Sequence, residues 1–148
     1  MILRQAIFTD ISQLINLRKK MLVEEGLYVE TNIDNELLRY FENGMEKQEL
    51  LMWVAEEGNK IIATCGVCFY QLPPSFKNPT GRNAYIVNVY TEPQYRKQGI
   101  ATKLLEMMLQ GVRQRGFKIV RLHASEEGKS VYKKMGFTDS KGYMFIKI

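Results

Sequence analysis

Apolar residues recur along this chain with two periods, and the switches between them divide it into elements. Ile100, Leu104, Met108 and Val112 fall on every fourth position, with Ala101, Leu105 and Leu109 one residue on. That is the wide stripe of a core-facing helix. Just before it, Tyr85, Val87 and Val89 alternate with Ile86, Asn88 and Tyr90. Both sets are largely apolar or aromatic, which predicts a strand interior to a sheet. Pro93 has no N–H and ends that strand. Upstream, Ile11, Leu14, Ile15, Leu17, Met21 and Leu22 give helical spacing from an N-cap at Asp10 to about Glu25, and Gly26 is a stop. A second helix is predicted from about Ile33 to Glu46, with Leu37, Leu38, Phe41 and Met45 on one side. Leu27 to Asn32 has no clear period and reads as a loop.

Strands are predicted at Met1 to Phe8, Leu50 to Glu56, Lys60 to Tyr70 and Lys118 to Ala124. Glu57-Gly58-Asn59 suits a hairpin turn between the second and third of these. Gln71 to Arg82 contains Pro73, Pro74, Pro79 and Gly81 and cannot be regular structure. A short helix follows at about Gly128 to Met135. Phe137 to Ser140 and Tyr143 to Ile148 read as a closing hairpin that turns near Lys141-Gly142. The order predicts an α/β fold. Its sheet is mixed and mostly antiparallel, with about six or seven strands and about four helices. The strand–helix–strand unit around Tyr85 to Ala124 is expected to be a right-handed parallel crossover.

Composition adds bounds. With 148 residues, 45% of them hydrophobic and 25% charged, the chain suits one domain over 1–148. No apolar run approaches the ~20 residues of a membrane span. The segment MILRQAIFTD lacks the apolar core of a signal peptide. A cytoplasmic protein without a membrane partner is expected. The net charge of +5 mildly favours anionic ligands. The basic pairs are scattered, and nothing resembles a recognition helix or an aromatic RNA-binding strand, so no nucleic-acid partner is expected. Cys65-Gly66-Val67-Cys68 invites a redox or zinc reading. The pair lies in a strand-like run, however, where a separation of three points the side chains to opposite faces. The single histidine, His123, also leaves too few ligands for zinc, so no metal is expected.

The candidate chemistry lies between the central strand and the long helix, at Arg96-Lys97-Gln98-Gly99-Ile100-Ala101. The first turn of a helix carries unpaired N–H groups and the positive end of the dipole. Gly99 and Ala101 leave room for a ligand to approach the backbone, and Arg96 and Lys97 add charge. The construction suits a phosphate or pyrophosphate. An ordinary strand-to-helix turn with solvated basic residues is the competing reading.

Arg96-x-x-Gly99-x-Ala101 resembles the acyl-CoA signature of the GNAT superfamily of N-acetyltransferases, Arg/Gln-x-x-Gly-x-Gly/Ala. Val131-Tyr132-Lys133-Lys134-Met135-Gly136-Phe137 is similar to that family's Leu-Tyr-x-x-x-Gly-Phe block, at family-like spacing. The resemblance covers roughly residues 85 to 137 and implies a single-domain GNAT-like fold. It also implies direct transfer of an acetyl group from acetyl-CoA to a primary amine within a ternary complex. In such a fold, backbone groups of Val89 and Tyr90 pair with the pantetheine and polarise the thioester. The turn at Arg96, with N–H groups of Lys97, Gln98, Gly99, Ile100, Ala101 and Thr102, holds the pyrophosphate. Tyr132 is the general acid. Ser125 stands near where many relatives place a cofactor-contacting Asn. The general base is not identified: a base acting through water, from His123 or from an acid such as Glu30, and an amine that binds already deprotonated all stay open. A homodimer also stays open. The alternative function is a non-catalytic acyl-CoA-binding regulatory domain.

Overall fold

A computed structural model describes residues 1–148. Five strands form one sheet in sequence order: β1 (Ile2–Gln5), β2 (Leu50–Glu57), β3 (Lys60–Gln71), β4 (Arg82–Thr91) and β5 (Val120–Arg121). The first three pairings are antiparallel, and β4–β5 is parallel. Helices α1 (Ile11–Glu24) and α2 (Asp34–Glu46) pack on one face, and α3 (Ile100–Gln114) covers the other. Helix α4 (Lys129–Lys134) follows β5. The stripe of α3 explains its face: Ile100, Leu104, Leu105, Met108 and Val112 are buried against Ile62, Cys65, Val67, Phe69, Ala84 and Ile86. On the other face Leu14, Leu17 and Phe41 meet Leu50, Met52, Val54, Ile61 and Tyr90. Each helix packs its apolar stripe on one face of a sheet buried on both sides, so the central stretches of β2, β3 and β4 are largely apolar.

Two irregularities of β4 determine which of its backbone groups stay unpaired. In the β3–β4 ladder Thr64 pairs with Tyr90 and Gly66 with Val87, so β4 carries one more residue than β3 over this stretch. This is a bulge, and Asn88 within it has φ of 53°. Asn is one of the few residues that enters the left-handed region readily. On its other side β4 pairs with β5 only at Ala84↔Val120 and Tyr85↔Arg121. From Ile86 onward that edge of β4 has no strand beside it.

The structure departs from the pattern-based expectations at four places. Strand β1 stops at Gln5 rather than running to Phe8. The Asp10 carboxylate accepts the Ile7 N–H at 2.8 Å and Phe8–Asp10 wind into a 3-10 turn. Strand β4 begins at Arg82, three residues before the apolar alternation, because Arg82, Asn83 and Ala84 pair with Gln71, Tyr70 and Phe69. Strand β5 is two residues long, not seven, because it leaves β4 after Arg121. The terminal hairpin over Phe137 to Ser140 and Tyr143 to Ile148 does not form, so the sheet has five strands rather than six or seven. Two ladder residues in β5 give such a hairpin almost no edge to extend, and Tyr143, Met144, Phe145 and Ile146 stay exposed.

Candidate active site

The open edge of β4 leads directly into the turn before α3. Val89 is half-buried and Tyr90 buried, both on the part of β4 that has no β5 neighbour. On such an edge the alternate residues whose N–H and C=O face away from β3 are free to pair with an extended ligand, as an added strand would. Val89 lies in the bulge with no partner on β3, whereas Tyr90 pairs with Thr64. Pro93–Tyr95 then make one 3-10 turn. Lys97 follows with φ of 61° and Gly99, the N-cap of α3, with φ of 76°. Left-handed residues in a short turn fold successive N–H groups inward as an anion-binding concavity. A Cβ placed on Gly99 would meet nothing within 4 Å, so the space above the turn is open to a ligand. Lys97, Gln98 and Gly99 are exposed, Ala101 and Thr102 are half-buried, and Ile100 anchors the helix start in the core. Helix α3 has 15 residues and no acidic residue in its first turn to quench the positive end of its dipole. The residues present therefore fit a pyrophosphate.

Arg96 behaves differently from its neighbours. Its Nε donates to the Thr91 carbonyl at 2.8 Å and its Nη2 to Glu24 Oε2 at 2.6 Å. Its guanidinium lies 5.5 Å from the centre of the Tyr90 ring. The Tyr90 hydroxyl donates to the other Glu24 oxygen at 2.9 Å. Burial pushes the Tyr90 phenol up to about 12, and its bond to Glu24 adds to that. Burial works against the Glu24 charge, but the bonds from Arg96 and Tyr90 prevail and hold its carboxyl below the ordinary range. One turn earlier on α1, Lys20 forms an ion pair with the buried Glu92.

Tyr132 is half-buried on α4. It packs against the α3-side core and meets the Phe137 ring edge-on at 5.7 Å between centroids. Burial pushes its phenol up to about 12, and no hydrogen bond contributes to the shift. Its hydroxyl makes no hydrogen bond to another protein group. Ser125 is exposed, and its Oγ accepts the Gly128 N–H at 3.2 Å, holding the turn into α4. His123 is exposed on the segment after β5, and Glu30 is exposed between α1 and α2. Cys65 lies in the α3-side core and Cys68 packs toward the α1–α2 side, as the strand spacing predicts. Burial raises both thiols, which makes them poor nucleophiles and metal ligands.

The structure thus sets Val89, Tyr90 and the turn from Arg96 to Thr102 along one surface strip, with the Ile100 side chain turned into the core, while Ser125 and Tyr132 lie on the segment after β5. Sequence reading missed Glu24 and Lys20, which tie α1 to that surface from 72 positions away in each case. Both sit on the polar side of a helical pattern, where a solvated face and a functional contact look the same. It also passed over Asn88, for which an Asn inside an otherwise apolar strand was the available signal.

Comparison with known proteins accords with this geometry. The profile of the Acetyltransferase (GNAT) family matches residues 13–137. A crystal structure of a predicted acetyltransferase from Clostridium acetobutylicum with acetyl-CoA superposes with a TM-score of 0.94. It is 42% identical, over 99% of this chain and 95% of that one. The thialysine N-epsilon-acetyltransferase of Mus musculus is 25% identical over 98% of this chain and 90% of its own. Glucosamine-6-phosphate N-acetyltransferase from Arabidopsis thaliana shares the fold, with a TM-score of 0.74 at 22% identity over 99% of this chain and 97% of that one. The match spans both α1 and the α4 block, well beyond the stretch from residue 85 to 137 that carries the signature motifs. This chain belongs to the GNAT family of acetyltransferases.

Proposed function

We propose that the protein acetylates the side-chain amine of a small, lysine-like amino acid by direct attack on acetyl-CoA, with Tyr132 assisting departure of the thiol. The observation that carries the transfer chemistry is the unpaired edge of β4 running into the left-handed turn at the start of α3. Val89, which has no partner on β3, would offer its backbone groups to the pantetheine arm and the thioester carbonyl, with Tyr90 beside it on the same edge. A donor fixed in place before the reaction stabilises the charge that develops on that oxygen. N–H groups from Lys97 to Thr102 would hold the pyrophosphate. Net proton balance is simple: the amine loses one proton and the sulfur gains one. A phenol held near 12 stays protonated at neutral pH. It is a weaker acid than a thiol of pKa about 8.5, so it keeps its proton and contributes a hydrogen bond to the departing sulfur, while the proton the sulfur gains is the one the amine loses, carried through water. A fixed donor to developing negative charge is worth roughly 10²–10³ in rate.

Two observations support the acceptor class. The mouse relative, aligned over nearly the whole chain, acts on thialysine. A cavity of about 970 Å³ lies between α1, residues 27–34 and the end of β4. It shares Tyr90 with the open edge, and its walls carry both Lys19, Lys20 and Lys60 and Glu24, Asp34 and Glu92. Lys19 pairs with Asp34, Lys20 with Glu92 and Glu24 with Arg96, so the wall holds no free acidic cluster of the kind a polycation would need. The test is CoA release from acetyl-CoA with lysine, thialysine, ornithine, spermidine and glucosamine 6-phosphate, with the product identified by mass. A higher kcat/KM for thialysine or lysine than for the other amines is expected. A preference for spermidine or the sugar would refute the acceptor class. Tight acetyl-CoA binding with no amine-dependent release would instead favour a binding-only regulatory domain.

A further inference from the structure

We infer that Glu24 is a positioning residue for the cofactor turn, acting through Arg96, and that the signature arginine serves as a strut rather than as a free charge for the phosphates. Both Glu24 oxygens are used, one by Arg96 and one by Tyr90, residues that bracket the connection from β4 to α3. Arg96 in turn closes the loop on itself through the Thr91 carbonyl at 2.8 Å. Lys20 and Glu92 make a second tie between α1 and the same connection. The segment from Tyr90 to Arg96 is therefore fastened to α1 at three of its residues, immediately before the left-handed Lys97 and Gly99. A non-glycine residue such as Lys97 persists in that region only where its surroundings fix it. An anion site made of N–H groups depends on just this geometry. The charge of Arg96 is matched by Glu24 at 2.6 Å, and its Nε and Nη2 are engaged by Thr91 and Glu24 while Nη1 makes no bond. A phosphate would meet a guanidinium already balanced by a carboxylate. Because Tyr90 and Glu24 also line the α1-side cavity, the strut joins the wall of that cavity to the phosphate turn.

The inference rests on reading the α3 turn as the acetyl-CoA phosphate site. Calorimetry with acetyl-CoA on the wild type and on Glu24→Gln separates the two roles by sign. A free-cation role predicts tighter binding in Glu24→Gln, which removes a negative charge and releases the guanidinium. A strut predicts weaker binding, about tenfold, because small misplacements of a binding group are costly. The loss should appear in KM for acetyl-CoA and be much smaller for acetyl-pantetheine, which lacks the pyrophosphate. Arg96→Lys keeps the charge but not the fork; the strut predicts that it loses as much affinity as Arg96→Gln. Combining Glu24→Gln with Arg96→Gln should cost no more than Arg96→Gln alone. Unchanged or improved affinity in Glu24→Gln, or equal losses toward acetyl-CoA and acetyl-pantetheine, would overturn the inference. A wild type that does not bind acetyl-CoA at all would refute the phosphate-site reading instead.

Discussion

Asn88 and Gly99 show how much of this site is decided by single backbone conformations. Asn88 holds the bulge at φ of 53°, and Gly99 opens α3 at 76°. Asn88→Gly should keep the bulge and leave the melting temperature nearly unchanged, whereas Asn88→Val should cost about 1–2 kcal/mol because a β-branched residue resists this region. Thermal melts of the two variants check the contrast, and equal melting temperatures would refute it. At Gly99 a side chain has room but the backbone is strained and the space is needed. Gly99→Glu should lose about 1–2 kcal/mol of stability and all measurable acetyl-CoA binding, since its carboxylate would occupy and repel the pyrophosphate position. Calorimetry on the folded variant decides, and near-normal affinity would remove the phosphate reading. Gly99 and the motif around it were legible from residue types and spacing. Glu24 was not, because a contact between residues 72 apart leaves no local pattern.

At the scale of elements, helices were easier to read than strand ends. Helix α3 was evident from its stripe, and α1 and α2 fall within one residue of their expected bounds. Strand ends depend on partners that the alternation of one segment does not reveal. Arg82 and Asn83 are polar yet paired, while Tyr143 to Ile148 is apolar yet unpaired. Strand β1 stops at a polar latch: Asp10 takes two bonds from Arg4, at 2.7 and 2.9 Å, and one from the Ile7 N–H, while Arg4 also holds Glu56. Asp10 is 5% exposed, so removing its charge leaves Arg4 partly unpaired. Asp10→Asn should cost about 2–3 kcal/mol, less than a fully buried pair because Arg4 is partly solvated. The bonds from Arg4 dominate and hold the Asp10 carboxyl below its ordinary value, and Glu24 is also held low. Folded values below the unfolded ones give stability that is present above the ordinary carboxylate range and lost as pH falls through the folded values. Acid melts should show that Asp10→Asn flattens this loss; an unchanged acid dependence would mean that the latch does not contribute.

Across the whole molecule, the proposed site draws on three parts of the chain. The sheet supplies an edge because β5 departs from β4 after two pairs. Helix α3 supplies an N-terminus because its apolar stripe fixes it under that edge. Helix α4 carries a phenol whose hydroxyl is not tied to a protein hydrogen bond. In the proposed mechanism this phenol acts on the departing sulfur, and rapid-quench single-turnover measurement of acetyl transfer in the wild type and Tyr132→Phe tests that role. The variant keeps the ring and its contact with Phe137, so acetyl-CoA affinity and melting temperature should change little. The chemical step should slow by roughly 10²–10³. A single-turnover rate equal to the wild type, with the variant folded and acetyl-CoA bound, would contradict the assignment and leave the departing sulfur without help from this phenol.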